Sequence, residues 1–381
     1  TKESEFRYRG WWGHASLPEF ADADDGSDLA SGPRAYIEAI TRRWMDPNGD
    51  GDPSDGVDGW RLDVADEIPV RFWREWNRLV RTINPESYTL AETWQPAGAL
   101  IRDGEFSAAM NYSGFAMPVK GFFIDGQFNA AEFVERIEAC RREIDPPRQC
   151  IMQNLVDSHD TPRLASMIVN AQTAPYADRT RADYDAQSTR DAHYRRDRPD
   201  ESARRLQRMV VLFQMVYAGA PAIYYGDEAG MWGADDPCDR QPMVWPDRSY
   251  QPQRGGPDGK GGDPRPVTFD NLLFQFYRAA CRLRRHLPAL VRGDVKFLLH
   301  PNEARSFCLR RQDSDHNVWV LFNRSEAACR WILETGGDQP VYEIFTASGR
   351  PDEIMLRDRD GRAELTLPPR EGVALLQRRQ E

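Results

Sequence analysis

The sequence predicts an α/β fold, part of a (β/α) barrel followed by a C-terminal antiparallel β-sandwich. Three acidic segments carry the first half of that prediction: Asp58-Gly59-Trp60-Arg61-Leu62-Asp63, Ala91-Glu92-Thr93-Trp94 and Asp157-Ser158-His159-Asp160. Each follows a short apolar or β-prone run, at 56–62, 88–91 and 151–156, with helical patterns between them. Carboxylates at the C-terminal ends of successive parallel strands face the mouth of a barrel. The second half rests on a change of texture beyond residue 291, where short alternating runs at 306–310, 318–322, 341–345 and 372–377 are separated by turn residues, as in a sandwich.

In chain order, residues 33–45 read as an amphipathic helix with Tyr36, Ile37, Ile40, Trp44 and Met45 near one face. It leads to an Asp/Gly loop and the first acid-bearing strand. Phe72, Trp73, Trp76, Leu79, Val80 and Ile83 repeat the helical pattern in a segment that Pro69 can begin. The strand at 88–91 comes next, then a shorter one near 108–112, a helix through Phe133, Ile137 and Cys140, and the strand at 151–156. Residues 170–200 are polar and read as a long surface excursion. A strongly apolar helix at 204–217, a Gly- and Pro-rich loop at 251–265 and a helix at 271–285 complete the barrel portion. The apolar face of that last helix reads as Leu272, Phe276, Ala279 and Leu283. The resulting division is 1–55 as lead-in, 56–290 as barrel and 291–381 as sandwich. Five barrel strands are counted from residue 56 onward, whereas closure takes eight.

Composition narrows the partners. A formal net charge of −10 argues against nucleic acid, whose phosphates call for a basic face. No apolar run reaches membrane-spanning length, so no membrane partner is expected. The eleven Trp suit a neutral sugar partner, because indole faces pack on sugar rings, although most should simply fill core. The six Cys have neither metal-ligand nor disulfide-framework spacing and read as free thiols. A cytoplasmic location is favoured over a secreted or periplasmic one, and the sequence begins at Thr1, so an upstream signal stays an open alternative.

The loop Asp46-Pro47-Asn48-Gly49-Asp50-Gly51-Asp52 has oxygen ligands at alternate positions and Gly at the sixth, a calcium-wrapping spacing. Its twelfth position is Val57 in place of Glu. Either Asp55 or Asp58 supplies the missing ligand, or Asp46, Asn48, Asp50 and Asp52 form an ion-free acidic turn.

A lone Asp after a strand is more often a turn or cap residue. The constellation reverses those odds. In order and context the three acidic segments resemble the second, third and fourth sequence regions of the α-amylase family, glycoside hydrolase family thirteen. Tyr8-Arg9-Gly10-Trp11-Trp12-Gly13 and Leu17-Pro18-Glu19-Phe20 are similar to the family segment before the fourth barrel strand, and 219–228 to its eighth-strand signature. Asp236-Pro237, Arg240, Pro242-Met243 and Trp245, with the run 61–68, resemble the neopullulanase, cyclomaltodextrinase and maltogenic amylase branch.

The resemblance implies a TIM barrel of which strands four to eight are present, with an amino-terminal piece of the natural polypeptide missing. An open sheet of that kind is expected to show little activity and poor solubility. It also implies a retaining hydrolase of α-1,4-glucosidic bonds in maltooligosaccharides, starch, cyclodextrins or pullulan. Asp63 is then the nucleophile, Glu92 the general acid and base, and Asp160 the third acid on sugar hydroxyls. Arg61 would keep Asp63 ionised, His159 would bind substrate, and Trp94 would stack on a sugar at the cleft rim with core packing as its alternative. A retaining pair should stand about 5 to 5.5 Å apart. The two carboxylates supply all the chemistry, so no cofactor is required beyond the calcium alternative. Gln95 stands where this branch often carries His, which leaves linkage preference open. A related glucosyltransferase or α-glucosidase, or a catalytically silent binding subunit, remains the alternative, and homo-oligomer contacts would come from residues upstream of Thr1.

Overall fold

A computed structural model of the chain describes residues 8–171, 194–253, 264–336, 340–349, 355–359 and 361–379. Most of the expected excursion at 170–200 and of the loop at 251–265 lies outside them. The chain forms two compact units, one of residues up to Thr93 with Ala97–Met110, the other of Trp94–Pro96 with the chain from Asn111 onward.

In the first unit, helix α1 (Ser31–Met45) precedes strand β1 (Gly59–Leu62), helix α2 (Val70–Ile83), strand β2 (Tyr88–Ala91) and the short strand β3 (Ala108–Ala109). The strands form one parallel sheet in the order β1-β2-β3, with Gly59 opposite Tyr88 and Leu90 opposite Ala108. Only glycine fits the first of these positions, because a Cβ on Gly59 would lie 2.1 Å from the Tyr88 carbonyl oxygen. Helix α2 begins after Pro69 and buries Phe72, Trp73, Trp76 and Val80 as the periodicity predicts.

The α1 face differs from the expected one. Tyr36 and Trp44 are exposed, while Thr41 and Met45 are buried. Thr41 is polar and so carries no weight in an apolar count, yet its hydroxyl donates to the Ile37 carbonyl and accepts from Trp76 Nε1, both at 2.8 Å. A hydrogen-bonded hydroxyl can be buried at little cost, and it sets the rotation of the helix.

The second unit holds the parallel pair β4 (Gln153–Asn154) and β5 (Ala220–Pro221) with helices α3 (Ala130–Arg142), α4 (Leu164–Val169), α5 (Glu201–Val216) and α6 (Asn271–His286). Both short barrel strands come out shorter than read. The run at 151–156 keeps two ladder residues, and that at 108–112 gives way to a π-helical turn over Tyr112–Ala116. In α6 the expected face is off by one residue. Leu273, Tyr277, Ala280 and Arg284 are buried, and Leu272 is 83% exposed. Arg284 explains the error, since its guanidinium is drawn inward by the carbonyls of Met215, Tyr217 and Leu290 at 2.8–3.0 Å. With Arg311, which donates to the Val216 carbonyl at 2.6 Å, it caps the end of α5. Burial pulls both guanidinium groups down to about 10.

Eight strands follow: β6 (Asp294–Leu299), β7 (Ser306–Gln312), β8 (His316–Asn323), β9 (Cys329–Glu334), β10 (Val341–Thr346), β11 (Met355–Arg359), β12 (Arg362–Leu367) and β13 (Glu371–Arg378). They make two antiparallel sheets, β10-β13-β8-β7-β6 and β11-β12-β9, around a core that includes Trp319, Leu321, Trp331, Leu333, Leu365 and Leu375. Aromatic rings of the helices and of the larger sheet also interlock, Phe133 and Phe213 meeting Phe307 at 5.4 and 6.0 Å.

Candidate active site

In the first unit, parallel pairing sets the ends of β1 and β2 side by side. The Glu92 amide donates to the Leu62 carbonyl at 2.9 Å, and the Ala65 amide to the Glu92 carbonyl at 3.0 Å. Asp63, two residues beyond Arg61, lies in the turn just past the end of β1. The Arg61 guanidinium pairs with Asp63 Oδ1 through Nη1, and its Nη2 lies 3.6 Å from Glu92 Oε2. One cation therefore faces both expected catalytic acids. Their surroundings differ sharply: the Asp63 side chain is 68% exposed and that of Glu92 5%.

A turn that sequence reading missed shapes this pair. Val64 has φ 49° and ψ 46°, a left-handed conformation that is uncommon for a β-branched residue, and its amide donates to Glu92 Oε2 at 2.7 Å. The turn is held from below by Trp73 Nε1, which donates to the Ala65 carbonyl at 2.7 Å. Nothing in the residue type at 64 signals such a backbone.

In the second unit, the Asp160 carboxylate is gripped from two sides. Oδ2 lies 3.4 Å from His159 Nε2 and Oδ1 3.3 Å from Arg240 Nη2. Arg240 Nε also donates to the His159 carbonyl at 2.8 Å and faces Asp236 Oδ1 at 3.1 Å. The Asp160 amide donates to Ser158 Oγ at 3.1 Å, and that oxygen accepts from the Tyr112 hydroxyl at 2.7 Å. Trp94, open to sugar stacking or core packing, is buried with its ring on Tyr112, 3.8 Å between centroids, as the second of these has it. Asn154 bridges inside the unit, accepting from Asn111 and donating to the Ala218 carbonyl.

Next to these residues is a buried acid cluster, of which Asp157 and Asp227 stood in the quoted motifs without an assigned part. The fully buried Arg163 donates to the Tyr225 carbonyl at 2.6 Å and pairs with Asp227 at 3.1 Å, under the rings of Tyr224 and Tyr225. Burial raises both the Asp157 and Asp227 carboxyls, and the Asp157 charge beside it raises Asp227 further. Asp157 Oδ2 accepts the Leu164 amide at 2.7 Å and so anchors the start of α4. Burial also pushes Asp239 up to about 7.

The loop oxygens at Asp46, Asn48, Asp50 and Asp52 accept amides of their own loop at 2.8–3.0 Å. The donor set is all oxygen, which suits a hard cation such as calcium. Among the described residues the acids gathered closely enough to share an ion are Asp313 and Asp315 with His316, and Asp46, Asp50 and Asp52 do not form such a group.

Residues 33–183 match the model of the alpha amylase catalytic domain. Neopullulanase 2 of Thermoactinomyces vulgaris is 30% identical over 345 residues, covering 90% of this chain and 48% of its own length. A Bacillus cyclomaltodextrinase is 34% identical over 274 residues, 71% of this chain and 39% of its own. The chain thus spans about half or less of the length of these relatives. Among solved structures, a cyclomaltodextrinase superposes with a TM-score of 0.67 at 26% identity, over 91% of this chain and 49% of that one. A Nostoc punctiforme debranching enzyme does so at 0.69 and 24% identity, over 97% of this chain and 66% of that one, a likeness of fold. Acid-bearing parallel strands followed by a C-terminal β domain agree with these matches, and the chain belongs to the α-amylase family.

Proposed function

We propose that the chain is the catalytic part of a retaining hydrolase of α-1,4-glucosidic bonds. The observation that supports this most is the Arg61 fork, whose two nitrogens face the exposed Asp63 and the buried Glu92. In this reading Asp63 attacks the anomeric carbon while Glu92 protonates the departing glycosidic oxygen. The Asp63–sugar ester then forms as the old C–O bond breaks. Glu92, now a carboxylate, takes a proton from water, which attacks the same carbon and releases Asp63. The exposed acid is the one that can reach a substrate carbon, and the buried acid is the one that Val64 and Arg61 hold in a fixed position beside it. Arg61 pairs with the nucleophile and orients it. Asp160 and His159 are assigned to sugar hydroxyls, with Arg240 holding the acid in place.

In the same proposal, β1 to β5 are strands four to eight of the barrel, which ends near residue 290. The relatives are named for action on pullulan and cyclomaltodextrin. Those glucans, with linear maltooligosaccharides, are accordingly the proposed substrates. Protein carrying this chain, incubated with cyclomaltodextrin, pullulan and maltotriose, should release reducing ends that appear first as the α-anomer by proton NMR. Replacement of Glu92 by Gln should lower turnover about 10²- to 10⁴-fold with the fold intact. Release of the β-anomer, or full activity in that variant, rejects the mechanism.

A further inference from the structure

The sandwich contains a cavity of about 700 Å³, within the roughly 300–1,000 Å³ range of small-molecule sites. It opens along β6 and β9, which are the edge strands of their sheets, and its walls include Leu298, Trp331 and Leu333. Three cavity residues stand in one cross-strand row, since Lys296 on β6 is opposite Arg310 on β7, which is opposite Trp319 on β8. Trp319 belongs to the sandwich core, so alternation puts this row on the inner face of the sheet.

Two like charges directly opposite each other are unfavourable by repulsion, and Arg310, half-buried, also loses part of its water, whereas Lys296 stays exposed at the sheet edge. Among the described residues neither Lys296 nor Arg310 forms an ion pair, whereas the neighbouring Arg330 is matched by Glu364 at 2.8 Å. Two donors in the same row, Arg310 Nε and Trp319 Nε1, are buried without a hydrogen-bond partner. Buried donors are nearly always satisfied, so this row is short of acceptor oxygen, even though the Arg310 guanidinium lies over the Trp319 ring, 5.5 Å from its centroid, and Glu334 stands elsewhere on the cavity wall. It is so in a chain whose overall charge is −10.

We propose that the cavity binds an amphiphilic anion, with a carboxylate or similar head group at Lys296 and Arg310 and an apolar body along Leu298, Trp331 and Leu333. The volume is too large for a bare inorganic anion, and the two unmatched cations disfavour a neutral sugar. This inference stands apart from the glycosidase reading.

Calorimetric titration of the full chain with decanoate, decanol, phosphate and maltoheptaose tests it without reference to activity. Decanoate should bind once per chain, and decanol and phosphate about tenfold or more weaker, because each lacks one half of the match. Both Lys296→Met and Arg310→Met should weaken decanoate about tenfold and leave decanol unchanged. Should Arg310→Met not fold, Lys296→Met on the exposed edge strand carries the test alone. Equal binding of decanol or phosphate, insensitivity of decanoate to Lys296→Met, or maltoheptaose binding that this variant abolishes would overturn the proposal.

Discussion

The Val64 amide donates to the Glu92 carboxylate at 2.7 Å from a backbone turned to φ 49°. The residue after the expected nucleophile thus adopts a strained conformation in order to fix the expected acid. Strain at such a point persists only where surrounding contacts over-determine it, here the Trp73 bond to Ala65 and the pairing of Glu92 with β1.

Glycine at position 64 keeps the amide and removes the strain. The left-handed conformation costs a valine about 1–2 kcal/mol, and the added freedom of the unfolded chain offsets about 0.5–1 kcal/mol of the relief. Val64→Gly should therefore leave Tm unchanged or slightly raised in thermal denaturation, with hydrolysis retained. A loss above about 2 kcal/mol would show that the valine side chain, not the turn, matters here.

Arg240 tests the grip on the third acid. Removing a charge-assisted hydrogen bond of the kind it makes with Asp160 costs about 1.5–3 kcal/mol, or roughly 10- to 100-fold in kcat/KM if Asp160 acts in the transition state. Arg240→Met should show that loss with an unchanged circular dichroism spectrum. Unaltered kcat/KM would separate Arg240 from the chemistry.

Asp239 gives a pH signature. Its carboxyl, buried, is raised to about 7 from the ordinary value of 3.8, so the folded state holds a proton that the unfolded state has released between these limits. Its contribution to stability is full below the ordinary value and is lost as pH rises through about 7. Asp239→Asn should flatten the fall in denaturant midpoint between pH 4 and 7, and an identical slope in the variant would assign that fall to other groups.

How much was legible depended on whether a signal lay in residue type or in backbone and polar contacts. β2 came out at 88–91 as read, and α2 buried its aromatic residues on the expected face, because strand-length runs and helical spacing report burial directly. The faces of α1 and α6 were misread where buried polar groups, Thr41 and Arg284, took positions that an apolar count skips. At the site, Arg61, Asp63 and Glu92 were found by motif and spacing, and the first unit brings them together. The αL turn at Val64 and the Arg240 grip on Asp160 depend on φ and on a contact across 80 positions of sequence, neither of which composition reveals. Trp94 was open to two readings, and its stacking on Tyr112 favours core packing.

The central claim is a covalent role for Asp63 in partnership with Glu92. Its most direct test is to expose protein carrying this chain, with Glu92→Gln, to a 5-fluoro-α-glucosyl fluoride, whose good leaving group lets the ester form and whose ring fluorine slows its breakdown. Peptide mass spectrometry should then find one glucosyl adduct, on Asp63, and none in the double variant with Asp63→Asn. An adduct on another acid, or glucan hydrolysis that survives Asp63→Asn, would contradict the account.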